Sequence, residues 1–176
     1  SHQGFAGAGI QMWSAVESNP INPVISNCEF RNNRAKTGGA VAMLCMNIDF
    51  GSGGSVSPTF SACTFMGNVA TSAGGAILAM GNPGTTGPTF KNCSFGTNIA
   101  KNGGVAALTG ATSGANVTTS FQNCGFSLNT ATQSGAIFFV SNSGGNYNIN
   151  LSNSLVMMNG GTGASDYFAV APSNNP

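Results

Sequence analysis

A motif of the general form Asn-Cys-x-Phe-x-x-Asn returns about every 30 residues along this chain of 176 residues. Its cysteines lie at positions 28, 63, 93 and 124, and Ser154 takes the same place in a fifth, degenerate copy. Internal periods of this length are typical of solenoids, in which one supersecondary unit is stacked on the next. Such a unit cannot bury its apolar side alone, so its neighbours must complete the core.

Two further motifs keep phase with the first. Three positions before each cysteine, or before Ser154, stands an apolar residue: Ile25, Phe60, Phe90, Phe121 and Leu151. A Gly-Gly-Ala-aliphatic motif follows, as Gly38-Gly39-Ala40-Val41, Gly74-Gly75-Ala76-Ile77, Gly103-Gly104-Val105-Ala106 and Ser134-Gly135-Ala136-Ile137. Residues 7–12 align with residues 38–43, which predicts that the chain enters in the middle of a repeat.

Each repeat holds short apolar runs that Gly, Asn and Pro interrupt, and it lacks helical spacing. Phe, Val, Ile and Thr stand where strands are expected, whereas the helix formers Glu, Lys and Gln are scarce. The pattern predicts an all-β fold, a parallel β-helix (solenoid) of about five coils with three short strands each. The single domain spans 1–176, with coils of roughly 1–23 (partial), 24–57, 58–87, 88–118, 119–148 and 149–176.

Stacked coils place like residues over like residues. The apolar row before the cysteines should form one column, and Phe30, Phe65, Phe95 and Phe126 with Val156 should form a second. A buried row of thiols is expected from Cys28, Cys63, Cys93 and Cys124, continued by Ser154, and a narrow place from Ala35, Ala70, Ala100 and Ala131. Full burial of each large side chain is worth roughly 1.5–3 kcal/mol.

Two rows of asparagine accompany these columns. The first, interrupted by Ala62, is Asn27, Asn92, Asn123 and Asn153; the second, unbroken, is Asn33, Asn68, Asn98, Asn129 and Asn159. Asparagine tolerates left-handed corners, and stacked amides bond to each other along an axis. We expect structural amide ladders at the corners of the coil; a polar recognition strip is the alternative.

Phe-x-x-Asn followed by Gly-Gly-Ala-(Ile/Leu/Val) is a paired signature that four coils carry in phase. It reads Phe30…Asn33 with Gly38…Val41, Phe65…Asn68 with Gly74…Ile77, Phe95…Asn98 with Gly103-Gly104-Val105, and Phe126…Asn129 with Gly135-Ala136-Ile137. This pairing resembles the repeat of the chlamydial polymorphic outer membrane proteins over nearly the whole chain. The resemblance implies a right-handed parallel β-helix at a cell surface, often an adhesin.

Charge excludes several functions. Charged residues make up 5% of the chain and the net charge is +1, so nucleic-acid binding through clustered cations is not expected. No apolar run approaches the roughly 18 residues of a membrane helix, so membrane insertion is not expected either. The four acids, Glu17, Glu29, Asp49 and Asp166, stand at different places in different repeats, which argues against a pair of catalytic carboxylates. His2 lies at the N-terminus, so a Ser–His catalytic triad is not expected.

The cysteines do not predict a metal site or a cofactor. No Cys-x-x-Cys occurs and each coil supplies one laddered thiol, so free buried thiols are expected. Parallel side chains suit a disulfide poorly. Cys45 lies outside the row, and we expect it in the core.

The connections between coils vary in length, at residues 47–57, 81–87, 109–119 and 141–149. We expect them to project from one edge, either as passive linkers or as binding loops. Possible N-glycosylation acceptors are Asn92, Asn116 and Asn150, with Asn116 in a Ser/Thr-rich connection as the best candidate.

These features predict a non-enzymatic extracellular or cell-surface protein that associates end to end with copies of itself. Neither end carries a charged cap, and bare solenoid ends invite open-ended stacking. The first hypothesis is a subunit of a head-to-tail fibre or surface layer, which sugars help to keep in solution. The alternatives are an adhesin-like module, cut from a longer β-helix, that binds glycans or a host-surface ligand, and a polysaccharide-active enzyme.

Overall fold

The computed structural model describes residues 6–15, 19–46, 53–110, 112, 114–141 and 144–161, and the backbone of 168–171. Every element in these ranges is a β-strand. In chain order the strands are β1 (Ile10–Ser14), β2 (Val24–Ser26), β3 (Glu29–Arg31), β4 (Arg34–Thr37), β5 (Val41–Met46), β6 (Ser55–Val56), β7 (Thr59–Ser61), β8 (Thr64–Met66), β9 (Val69–Ala73), β10 (Ile77–Asn82), β11 (Gly84–Thr86), β12 (Thr89–Lys91), β13 (Ser94–Gly96), β14 (Ile99–Asn102), β15 (Ala106–Gly110), β16 (Ala115–Gln122), β17 (Gly125–Ser127), β18 (Thr130–Ser134), β19 (Phe138–Ser141), β20 (Asn146–Ser152), β21 (Leu155–Met157) and β22 (Phe168–Ala171).

The strands form four parallel sheets, which the chain visits in the same order on every turn. Sheet 1 runs β2-β7-β12-β16 and continues to β20, with β6 and β11 joined to its upstream half. Sheet 2 runs β3-β8-β13-β17-β21, sheet 3 runs β4-β9-β14-β18, and sheet 4 runs β1-β5-β10-β15-β19-β22. The chain is therefore a parallel β-solenoid, as its repeats predict.

Two details differ from the sequence-based expectation. From β2 to β20 the chain makes four complete turns, flanked by partial turns, rather than about five coils. Each coil has four strand positions rather than three, because the alanine row lies on strands of its own in sheet 3. These alanines are at most 4% exposed, so their short side chains fill the narrow place between sheets 2 and 4.

Left-handed residues turn the chain at two corners on either side of sheet 2. The corner before the cysteines has φ of 47–54° and is made by Asn27, Ala62, Asn92, Asn123 and Asn153. The corner after sheet 2 has φ of 49–65° and is made by Asn32, Gly67, Thr97, Leu128 and Met158. The left-handed residue there is thus the one before each asparagine of the second row. The expectation that the second asparagine row itself adopts the left-handed conformation is wrong, because none of its members has a positive φ. Their side chains instead point inward and form a buried ladder.

Two columns of stacked phenylalanine rings run through the core, among buried aliphatic residues and cysteines. Neighbouring rings within a column have centroids 4.7–5.2 Å apart and lie within 12° of parallel. Rings of different columns meet edge to face at 5.3–6.0 Å. Both arrangements are favourable for aromatic quadrupoles, and each pair adds about 0.5–1.5 kcal/mol to simple burial. The predicted pairings with Ile25, Leu151 and Val156 are also confirmed.

The connections between coils are more ordered than expected. Each carries a strand of sheet 1: β6, β11 and the upstream halves of β16 and β20 stack on one another. Val56, Thr86 and Val117 are fully buried in this stack. The view of these connections as projecting loops is wrong for those parts, because their alternating residues complete the core.

The glycine motif of the fourth coil is displaced by one position. Ala106 pairs with Phe138, so Gly135-Ala136-Ile137-Phe138 is the structural equivalent of Gly103-Gly104-Val105-Ala106. The alignment that began this motif at Ser134 is wrong. The additional residue is absorbed by a register shift between β14 and β18.

Candidate functional site at the ends of the coil stack

The second asparagine row forms a continuous ladder through the interior. Asn98 shows the repeating unit: its Nδ2 donates to the carbonyl of Phe65 at 3.0 Å and to Oδ1 of Asn129 at 2.9 Å. Its Oδ1 accepts from the backbone N–H of Asn68 at 3.0 Å and from Nδ2 of the same residue at 2.9 Å. Both donors and both acceptor positions of the amide are used, and the side chain is fully buried. The ladder is therefore a structural device, as one of the two interpretations predicts.

The ladder has a direction, because each amide group donates to the next coil and accepts from the previous one. Asn159 is the last described member, and its Nδ2 donates to the carbonyl of Met157 in its own coil at 3.0 Å. In the interior of the stack, the corresponding Nδ2–H donates to Oδ1 of the asparagine in the following coil. The local carbonyl of Met157 thus substitutes for the acceptor that a further coil would supply. At the other end, Asn33 is half-buried and its Nδ2 donates to Asn68 at 2.9 Å.

The last coil exposes positions that form the core elsewhere. Leu151 continues the column of Phe121 and is 43% exposed, whereas Phe121 is fully buried. Val156 continues the column of Phe126 and is 37% exposed, whereas Phe126 is 1% exposed. The end of the described stack therefore presents two apolar columns and the open edges of β20 and β21.

The first coil is better covered. Phe30 is 7% exposed and Ile25 is half-buried, although β2 and β3 are edge strands of their sheets. An edge strand can still pair with another strand through its backbone. The two ends of the stack thus carry the same columns, with Ile25 and Phe30 at one end and Leu151 and Val156 at the other.

The thiol row is confirmed as a row of free cysteines, but its first member is not buried. Cys63, Cys93 and Cys124 are at most 3% exposed, whereas Cys28 is exposed because it lies in the edge coil. The hydrogen bond with the neighbouring thiol of Cys124 and burial together raise the pKa of Cys93. The Sγ of Cys93 also contacts the carbonyls of Phe60 and Lys91, at 3.6 and 3.3 Å. Ser154 ends the row and accepts from the backbone N–H of Cys124 at 3.2 Å.

Cys45 lies in the core, as expected. Its thiol is fully buried and donates to the carbonyl of Gly54 at 2.6 Å. Burial raises the pKa of this thiol.

The three glycosylation acceptors are all exposed. Asn116 and Asn150 lie on β16 and β20, on the outer side of sheet 1, so Asn116 is on a strand rather than in a loop. Nδ2 of Asn150 donates to the hydroxyl of Ser120 at 3.4 Å. Asn92 is a left-handed corner residue whose Oδ1 accepts from Asn123 at 3.2 Å. Sugars at any of these positions would extend away from the core.

Among the described charged residues, Glu29 and Arg31 form an exposed ion pair. Arg31 donates to the carboxylate of Glu29 at 2.6 Å, which lowers the pKa of Glu29 and raises that of Arg31. The other three acids and His2 lie outside the described residues. Within those residues, no three His, Cys, Asp or Glu side chains are grouped as metal ligands. None of the described residues belongs to a helix of the length and apolar character that crossing a membrane requires.

Sequence reasoning missed a second apolar cluster on the outer side of sheet 4. It contains Ala42, Leu44, Leu78 and Ala107, all at most 7% exposed, with Met80 and Phe139 packed against it. The signal was present in the unbroken apolar runs of β5 and β10. Such runs, without alternation, indicate strands buried on both faces.

No protein-family model, curated protein or solved structure matches the chain. Its function must therefore follow from its own geometry.

Proposed function

We propose that this chain is an extracellular structural protein that extends end to end into a β-helical fibre or layer. The observation that carries the proposal is the exposed end of the last coil, where Leu151 and Val156 stand over fully packed phenylalanine columns. The opposite end carries Ile25 and Phe30 in the same two columns. A second copy stacked on the last coil would continue both columns and both sheets without a change of register.

The open strand edges favour assembly over a single isolated coil stack, and the direction of the asparagine ladder determines how the copies meet. Within the described residues β20 and β21 each pair with one strand, so their outer edges offer backbone groups to which a further strand can add. The asparagine ladder has one direction, so it favours head-to-tail over head-to-head contacts. A head-to-tail contact is heterologous and does not close, so it generates filaments rather than dimers.

A location outside the cell fits the surface chemistry. The described charges are few, and the outer side of sheet 1 carries rows of Ser, Thr and Asn, among them Thr59, Thr89, Ser120 and Asn150. Such a surface has little charge repulsion to keep it dispersed. Sugars on the exposed Asn116 and Asn150 would supply solubility between the lateral faces of fibres.

The test compares a variant on the end face with a matched variant on the lateral face of the same strand. Leu151→Asp places a charge in the proposed contact, whereas Asn150→Asp changes a neighbouring residue on the outer side. At micromolar concentration we expect fibres, visible by electron microscopy, from the wild type and from Asn150→Asp, and single particles from Leu151→Asp. Equal behaviour of the two variants, or a monomeric wild type, would refute the proposal.

A second function, recognition of glycans as an adhesin-like module, is favoured by one observation. Sheet 1 presents a regular array of hydroxyl and amide groups, which are the groups that hydrogen-bond to sugars. It predicts binding to glycan arrays by a monomeric protein. A native polypeptide much heavier than 17.6 kDa after deglycosylation would favour this function, because further coils of the same chain would then cover the end face.

A further inference from the structure

Sheet 4 spans one more coil than sheets 1 and 2. Within the described residues it holds six strands, and the chain makes five turns between β1 and β22. From β2 to β20 in sheet 1, and from β3 to β21 in sheet 2, it makes four turns. The strands β1 and β22 thus occupy the same position of the coil, at opposite ends of one sheet.

This difference matters for end-to-end stacking. When β2 of a second copy lies on β20, and its β3 lies on β21, its β5 lies two positions above β19 of the first copy. One position remains between these two strands. The second copy's β1 belongs there, because β1 lies directly below β5 in every copy. In the free protein β22 fills that position beside β19. Two strands therefore compete for one place.

The registers make the two strands interchangeable. Ile10 begins a row of paired residues that passes through sheet 4 to Phe138 and ends at Phe168. In the same way Met12 begins the row that passes Val140 and ends at Val170. A second copy's β1 can therefore pair with β19 in the register that β22 uses.

We propose that β22 is a releasable strand which covers the edge of β19 in the free protein, and that β1 of the next copy displaces it during assembly. This inference rests on the proposed end-to-end stacking and names its mechanism. The released strand is β22 rather than β1, because β1 pairs with β5 over five residues and buries Met12 and Ser14. Both strands have one neighbour within the described residues, but β22 pairs with β19 over only four residues.

The exchange conserves most of the backbone pairing beside β19, since one strand replaces another. The gain comes from the contacts made at the same time, where β2 covers β20, β3 covers β21, and Leu151 and Val156 become buried. Until β22 leaves, these contacts cannot form in register. The strand β22 therefore slows assembly, because it competes with β1 of the second copy for the position beside β19.

The test weakens β22 in the full-length chain and follows assembly by light scattering. Ala169→Pro with Val170→Pro removes two successive N–H groups, one of which faces β19. The control Ala169→Thr keeps both N–H groups and leaves Val170, which pairs with the buried Val140, unchanged. If the open state is a minor one, populated at about 10% or less, the proline variant should assemble at least about tenfold faster. The threonine variant should assemble like the wild type.

Hydrogen exchange of residues 168–171 in the wild type gives a second readout that requires no variant. The amides of this strand that face β19 should be protected in the free protein and exchange rapidly in fibres. If fibres form while residues 168–171 stay protected, or if the proline variant assembles no faster, strand exchange is refuted and end-to-end stacking stands. If neither wild type nor variants assemble, the stacking proposal fails and the exchange fails with it.

Discussion

The interior asparagine ladder should dominate the stability of this fold, and Asn98→Ala measures its contribution. The substitution removes the carbonyl oxygen and amide nitrogen from a position with no solvent access. It leaves the backbone N–H and one Nδ2–H of Asn68, and the carbonyl of Phe65, without their partners. The backbone N–H of residue 98 still donates to Oδ1 of Asn129, so that bond is kept.

The magnitude follows from the groups left unpaired. A buried polar group without a partner costs about 1–3 kcal/mol, so three such groups cost about 3 to 9 kcal/mol. A water molecule entering the vacated space recovers part of this, because it can bond to several of these groups. We expect a loss of about 4 kcal/mol, a large fraction of the roughly 5–15 kcal/mol by which domains are stable.

Urea unfolding followed by circular dichroism gives the free energy of unfolding, and Asn92→Ala is the matched control. Asn92 belongs to the exposed corner row and accepts one bond, and Ala62 occupies the equivalent corner at a φ of 52°. The control should lose about 1 kcal/mol. If Asn98→Ala lowered the free energy of unfolding no more than Asn92→Ala, the ladder would contribute little to stability, and the reasoning would be refuted.

Three further predictions concern the coil and its thiols. Gly75→Ala should destabilise the protein by several kcal/mol, about the cost of a severe core substitution, because the new methyl group would clash with the carbonyl oxygen of Gly104. Gly125 faces open space, so Gly125→Ala should be neutral or slightly stabilising in the same urea assay. A thiol reagent should titrate one cysteine, Cys28, in the native protein and the other four only after unfolding; faster labelling of a second thiol would contradict the buried row. Because burial raises the pKa of Cys45, its contribution is present below the pKa of the unfolded thiol and is lost as pH rises through the folded value. The unfolding midpoint should therefore fall as the pH rises above about 8.5, the pKa of the unfolded thiol, and less steeply in Cys45→Ser; equal slopes would show that this thiol does not titrate differently on folding.

Much of the fold could be predicted because a solenoid converts sequence period into spatial neighbours. Phe60, Phe90 and Phe121 stand one coil apart in sequence, and their rings stack at 4.9–5.0 Å. The strand count per coil could not be predicted as well, since the segment around Ala100 has few apolar residues and shows its extended form only through pairing. For a similar reason the sequence predicts a loop at Asn116, because its strand has Thr118 and Ser120 at outer positions.

The sequence by itself determined that the coils stack along one axis, with one coil for about every 30 residues. It also determined which phenylalanine, cysteine and asparagine residues form rows along that axis. A repeated side chain can be satisfied by its own copies only when equal positions lie above each other, so the period dictates the stacking. The tertiary structure alone decided how the ends are made. Whether Leu151 is covered, whether Cys28 is buried, and whether β1 and β22 share one position of the coil depend on where each sheet stops. No repeat contains that information, because every interior repeat has a neighbour on both sides.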